Sequence, residues 1–215
     1  MRPKLSKIGA LLLALVIGSL FALPVPAQSK ASTKSVESVN AVLKEIEKGK
    51  AQVQAAMDSL QALASGSEKN LTKDYNTFTK NVDKLNKTSK SAVARAADMG
   101  ERREAYLAEW HKKSKEVSNP EIQAHMQQRA EAVKATLAGL EPAGDALREA
   151  FPPFLSDLND IQKMLSVDLS TDGMTAAKPI ADKAVTNGNI IVQSLDTYIS
   201  TLTQIRDQVA PKAKK

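Results

Sequence analysis

The sequence predicts an all-α fold: an elongated antiparallel bundle of four helices, running up-down-up-down, with coiled-coil-like seams. Three observations carry that expectation. Twelve positions step alternately four and three residues along the chain: Leu71, Tyr75, Phe78, Val82, Leu85, Ser89, Ala92, Ala96, Met99, Arg103, Tyr106 and Trp110. Ten of the twelve are apolar or aromatic, and the residues between them are mostly Lys, Asp, Asn, Thr and Glu. A 4-3 step averages 3.5 residues, so one narrow apolar seam runs down a long helix that cannot bury it alone. Comparable seams precede and follow this one, and the short links between them force antiparallel neighbours. No alternating strand pattern competes anywhere.

The chain opens as an export signal. Arg2, Lys4 and Lys7 give a basic start, residues 8–23 are almost wholly apolar, and Pro24 ends any helix there. Val25, Pro26 and Ala27 offer the small-residue spacing a signal peptidase reads, so cleavage is expected after Ala27 and residues 1–27 are removed. The alternative is an uncleaved inner-membrane anchor. Against it, the apolar run is short beside the roughly 20 residues that span a bilayer. No cysteine follows the run, which excludes lipoprotein acylation, and no later stretch is apolar enough to span. The expected location is the periplasm.

The remainder, 28–209, reads as a single helical domain followed by a basic, disordered tail at 210–215. With no cysteine in the chain, an oxidising compartment offers it no disulfide and no thiolate chemistry. Stability has to come from packing. Charge is uneven: residues 28–117 hold 17 basic and 12 acidic side chains, whereas 118–215 hold 10 basic and 12 acidic. Two halves that attract weakly across solvated faces account for this; so would a basic face toward an anionic lipid or polymer.

The first helix is expected over about 32–64, with its seam at Val36, Val39, Leu43, Ile46, Lys50, Val53, Met57, Leu60 and Ala64. Ser65-Gly66-Ser67-Glu68 ends it, and Ser65 with Glu68 reads as a capping box for the next helix. The second helix runs to about Val117, locally weakened at Gly100. Ser118-Asn119-Pro120-Glu121 repeats the stop-and-start chemistry: a capping side chain, Pro in the first turn, then Glu. A third seam follows at Ile122, Met126, Val133, Leu137, Leu140, Leu147, Phe151, Phe154, Leu158, Ile161 and Leu165. Pro142 and the Pro152-Pro153 pair should kink or break it, and Gly139 and Gly144 make the Pro142 site the softer. Residues 168–173 form the last turn. The final helix, about 175–209, carries Ile180, Ala184, Ile191, Leu195, Tyr198, Leu202, Ile205 and Val209, with Pro179 in its first turns. The two middle helices would each approach about 70 Å if unbroken. Being longer than the outer two, they should project as a two-helix hairpin at the 117–120 turn, with Trp110 near it.

Candidate chemistry is sparse. His111 and His125 lie either side of that turn, but two histidines make no metal site, and the Glu-x-x-His pairs of helical di-iron sites are absent. A haem lacks attachment cysteines. Asp168-x-Ser170-x-Asp172-Gly173 matches the first half of a calcium loop, yet Pro179 stands where the twelfth-position carboxylate belongs. A helix-capping turn through Ser170 or Asp172 is the reading adopted. No Gly-rich phosphate loop or nucleophile-base pattern occurs. We therefore expect no catalytic residues, no metal, no cofactor, no nucleic-acid partner and no small-molecule substrate, and a non-enzymatic role. Trp110 lies where the seam is diluted by Arg103 and flanked by Lys112, Lys113 and Lys115. Arg103, Tyr106, Trp110, Lys112, Lys113 and Lys115 are thus the candidate interaction surface, either hairpin packing or a Trp-Lys cluster suited to a membrane surface.

Dispersed residues add a resemblance. Glu109-Trp110 after Tyr106-Leu107, Tyr75 after Asn70-Leu71, Arg95, and Pro153-Phe-Leu-Ser-Asp-Leu-Asn-Asp160-Ile-Gln-Lys-Met-Leu165 resemble a bacterial domain-of-unknown-function family, number 2959. Pro153, Leu155, Asp160, Leu165 and Leu169 match its P-x-L…D…L segment, while Ser166-Val167-Asp168 replaces the Lys-His-Asn that follows in its members, as in a distant relative. The resemblance covers most of 35–205. It implies a helical bacterial envelope protein and brings no activity with it. The expected role is a protein partner or self-association, as a scaffold in the Gram-negative envelope; the alternative is a lipid-surface or holdase-like stress protein.

Overall fold

The computed structural model describes residues 29–65, 68–138 and 140–209. Within these, the side chains of 29–35, 38, 68, 90–111, 113, 129, 130, 132–134, 136–138, 141, 205, 208 and 209 lie outside the description. The expected signal segment at 1–27, its cleavage site and the 210–215 tail also lie outside the described residues. All regular structure among the described residues is helical: α1 Ser29–Ser65, a 3-10 turn Glu68–Asn70, α2 Leu71–Glu116, α3 Pro120–Ala138, α4 Glu141–Val167 and α5 Thr171–Val209.

Five α-helices thus stand where four were expected, because the third predicted helix is two. Its break falls beside Leu140, whose backbone is helical but outside both helices, with Pro142 in the first turn of α4. There the missing amide would be unpaired in any case. Pro152 and Pro153 cause no break, and α4 runs through both. They are flanked by Phe151 and Phe154, which are buried with ring centroids 6.5 Å apart. Burying a large apolar side chain contributes about 1.5–3 kcal/mol, enough to offset much of the roughly 3 kcal/mol a helix-interior proline costs.

The turns differ from expectation in one case and agree in two. Ser65 does not cap α2; it is the last residue of α1, and its hydroxyl donates back to the Gln61 carbonyl at 2.8 Å. The 3-10 turn intervenes, and Asn70 precedes α2 without a side-chain cap. A short polar side chain at a helix end can bond to the preceding turn as readily as to the next, and here it does. At α3 the Asn119 carboxamide oxygen accepts from the amides of Glu121 and Ile122, at 2.9 and 3.2 Å. At α5 the Ser170 hydroxyl accepts from the Gly173 amide at 3.1 Å and donates to Asp168 at 2.6 Å, so the calcium-like sequence is a helix cap. Because α5 begins at Thr171, Pro179 is its ninth residue, on an exposed face where water can reach the Thr175 carbonyl it leaves unpaired.

The buried positions keep the 4-3 rule. From Leu140 through α4 the seam is Leu140, Gly144, Leu147, Phe151, Phe154, Leu158, Ile161 and Leu165, with Ala150 buried beside it; in α5 it is Met174, Ala177, Ala181, Ala184, Gly188, Ile191, Leu195, Tyr198 and Leu202, with Gly173 and Ser194 buried beside it. In α2, Leu71, Phe78, Val82, Leu85 and Ser89 are buried and Tyr75 half-buried. Helix α1 buries a wider face, adding Val42, Gln52, Ala56, Ser59 and Leu63 to its predicted seam. It needs two rows because it packs against both α5 and α2. Three expected seam residues turn out exposed: Ala64, Ile122 and Ile180. Around Ile180 the smaller Ala177, Ala181 and Ala184 take the core positions, and the period, not residue size, decides which face is buried.

Helices α4 and α5 share the most extensive interface, followed by α1 with α5 and α1 with α2; α2 with α4 is the thinnest of the four. Asn81 donates to the Ala55 carbonyl at 3.1 Å between α1 and α2, Lys50 meets Asp196 between α1 and α5, and Lys183 meets Asp157 between α4 and α5. The tightest approach is at Gly188. A Cβ there would lie 2.8 Å from Met57 Cγ and 3.1 Å from Phe154 Cε2, so α1, α4 and α5 converge on a position that has no room for a methyl group.

Two glycines therefore respond oppositely to the same substitution. Gly49, mid-helix in α1, has open space where a Cβ would go. Gly49→Ala should stabilise the protein by up to about 1 kcal/mol through helix propensity alone. Gly188→Ala should destabilise it despite the same propensity gain, and Met57→Ala should relieve that penalty in the double variant. Urea denaturation of the four proteins checks all three signs.

Candidate functional site

The sequence-predicted surface residues all fall in the last third of α2. Lys112 and Lys115 are exposed, three residues apart and so neighbours on one helix face, while Ser114 between them is buried. Arg103, Tyr106, Trp110 and Lys113 share this helical stretch, but their side chains lie outside the described residues. Helix α2 stops at Glu116, Val117 is extended, and Asn119 starts α3. The two helices are tied across the turn by the Gln123 side-chain amide, which donates to the Ser114 carbonyl at 3.3 Å. Beside this tie stand exposed Ser118, Asn119, Pro120, Glu121 and Ile122, the last an isoleucine 52 % exposed. His125 is exposed as well; the side chain of His111 lies outside the described residues. Among the described residues, α3 meets α2 beside their shared turn.

Three contacts set the register of the helices that flank this turn in sequence. The Asn81–Ala55 bond places Ser29, the first residue of α1, level with about residue 107 of α2. Lys183–Asp157 and Tyr198–Leu140 set the register of α5 on α4 as far as Leu140.

No group of three or more His, Cys, Asp or Glu side chains placed to hold a metal occurs among the described residues. No helix among them is long and apolar enough to cross a membrane.

Polar side chains in the seams divide by role. Lys50 reaches across to Asp196. Ser89 instead donates to the Asn86 carbonyl of its own helix at 2.8 Å and so does not link helices. Sequence reasoning missed the contacts between α2 and α4. Tyr75 donates to the Gln162 carbonyl at 2.9 Å, the Gln162 amide donates to Asp83 at 3.1 Å, and Asn86 and Asn159 exchange side-chain hydrogen bonds at 2.7 and 3.3 Å. The only sequence signal was an Asn directly beside a seam position in each helix, Leu85-Asn86 and Leu158-Asn159.

The family described as "Protein of unknown function (DUF2959)" matches residues 30–206. The chain belongs to this family. No curated protein and no solved structure matches the chain. The match spans α1 to α5, so this family's sequence pattern covers the buried seams and the α2–α3 turn alike.

Among the described residues, the titrating group most affected by the fold is Tyr198. It is fully buried in α5, with its hydroxyl 3.4 Å from the Leu140 carbonyl, and burial pushes its ionisation well above that of a free phenol, with Arg148 opposing weakly. In the unfolded chain it ionises near pH 10. Its contribution to stability is therefore complete below about pH 10 and is lost as pH rises toward the folded-state value. Wild type should lose up to about 1.4 kcal/mol per pH unit more than Tyr198→Phe above that pH. Urea melts from pH 8 to 11.5 measure the difference, and parallel curves would contradict it.

Proposed function

We propose that the chain is exported, loses residues 1–27, and works in the bacterial envelope as a non-enzymatic interaction or scaffolding protein. In this reading α1, α2, α4 and α5 form one up-down-up-down antiparallel bundle with coiled-coil-like seams, and the α2–α3 turn projects from one end as its docking tip. What supports it is register: the Asn81–Ala55 bond sets Ser29 level with about residue 107, so a straight α2 runs about ten residues past the start of α1. The 4-3 spacing of the buried positions and the cross-links at Asn81–Ala55, Lys50–Asp196, Asn86–Asn159 and Lys183–Asp157 support the antiparallel order. The tip presents Lys112, Lys115 and Ile122 to solvent, two cations with an exposed isoleucine across the turn. Arg103, Tyr106, Trp110 and Lys113 extend the same stretch in sequence.

A second reading uses the same tip against an anionic lipid surface, because exposed Lys112 and Lys115 stand near exposed Ile122. One experiment separates the two. A photo-crosslinking residue is placed in turn at Lys112, Lys115 and Ile122, and at Lys163 on the bundle body as control, in periplasm-exporting cells. The scaffold reading expects a protein adduct, or a dimer of this chain, from the tip positions and none from Lys163. Absence of any protein adduct, together with sedimentation as a strict monomer, would count decisively against it. Salt-sensitive co-sedimentation with anionic liposomes would then favour the lipid reading.

A further inference from the structure

We infer that the bundle has a built-in line of opening, the α2–α4 interface, along which the α1–α2 hairpin turns away from the α4–α5 hairpin about the α1–α5 contact. This goes beyond the docking role proposed above and rests on its bundle arrangement. Of the four interfaces around the core, α2–α4 is the thinnest, while α4–α5 and α1–α5 are the most extensive. It is also the one most marked by polar links: Tyr75 to the Gln162 carbonyl, Gln162 to Asp83, and the Asn86–Asn159 pair. Asn86, Asn159, Gln162 and Tyr75 are half-buried and Asp83 is exposed. Hydrogen bonds at such sites exchange for bonds to water with little net loss, whereas an apolar interface loses its burial outright. Opening therefore costs least here.

Connectivity points the same way. Helices α1 and α2 are joined by a short turn, as are α4 and α5, so each hairpin stays together. Between α2 and α4 lies all of α3, so no short turn ties these two helices together. Opening along this line uncovers Phe78, Val82 and Leu85 on one hairpin and Phe154, Leu158 and Ile161 on the other. Such sub-global openings are set by the weakest cooperative contact in a fold.

The chain has no cysteine, so one introduced thiol reports on one site. Ser89 on α2, one turn from Asn86, and Ser194 on α5 are both buried and nearly isosteric with cysteine. S89C and S194C are labelled separately with a thiol reagent at increasing urea concentrations below the unfolding transition. The thiol of S89C should react about tenfold faster or more, with a shallower dependence on urea, because its opening exposes less surface than global unfolding. Adding N86L with N159L should slow S89C labelling by about tenfold, toward the S194C rate. Equal rates with equal, steep urea dependence at the two sites would overturn the inference, since both would then open only on global unfolding. So would an S89C rate unmoved by a leucine pair that folds. If the leucine pair fails to fold, the comparison of S89C with S194C decides alone. Rapid labelling at both sites with no urea dependence would remove the bundle reading as well.

Discussion

The convergence of α1, α4 and α5 at Gly188 is the constraint on which the packing of the chain depends. Helix α5 shares the two largest interfaces, and its seam is small at one end and large at the other: Ala177, Ala181, Ala184 and Gly188, then Ile191, Leu195, Tyr198 and Leu202. The small half lets neighbouring backbones approach and gives Met57 and Phe154 the space over Gly188. The large half fills the core toward Leu140, where Tyr198 is fully buried. With no cysteine in the chain, stability rests on this graded packing and not on covalent cross-links.

Polar contacts have a different part. A buried apolar seam of strict 3.5 period does not by itself fix which turn faces which, because sliding by one heptad restores the pattern. Asn81 to Ala55, Lys50 to Asp196 and Asn86 to Asn159 each tie one turn to one partner, so register is set by hydrogen-bonded side chains at the borders of the seams. Of these, the Asn86–Asn159 pair lies on the α2–α4 side, where it joins the links of Tyr75 and Asp83 to Gln162.

Much of the fold was legible because the burial pattern is periodic. The seam from Leu71 to Ser89, the α4 seam from Leu140 to Leu165 and the caps at Asn119 and Ser170 follow from spacing and local chemistry. What sequence could not resolve was competition between local and tertiary effects. Pro152 and Pro153 read as a kink or break, yet α4 runs on through them between the buried Phe151 and Phe154. Ser65 read as a cap for the helix after it, yet it bonds to the helix it ends. Ile180 read as core because it is large, whereas the 3.5 period places Ala181 there. The candidate surface was legible only as a dilution of the seam by Arg103 and a run of lysines, and Lys112 and Lys115 are where exposure accompanies that reading. The Asn86–Asn159 pair was illegible, because a single amide beside each seam carries no partner information until register is known.

The functional reading turns on shape: a single continuous α2 carrying a turn beyond the ends of its outer helices. Small-angle X-ray scattering of the monomeric chain from residue 28 onward tests this most directly. The 46-residue α2 alone is about 69 Å long, so the account predicts a maximum dimension of about 70 Å or more and a radius of gyration of about 20 Å or more. A compact particle of this length would give about 16 Å. A value near that figure, with a correspondingly short maximum dimension, would mean that α2 folds back on the bundle, and the projecting tip would be lost with it.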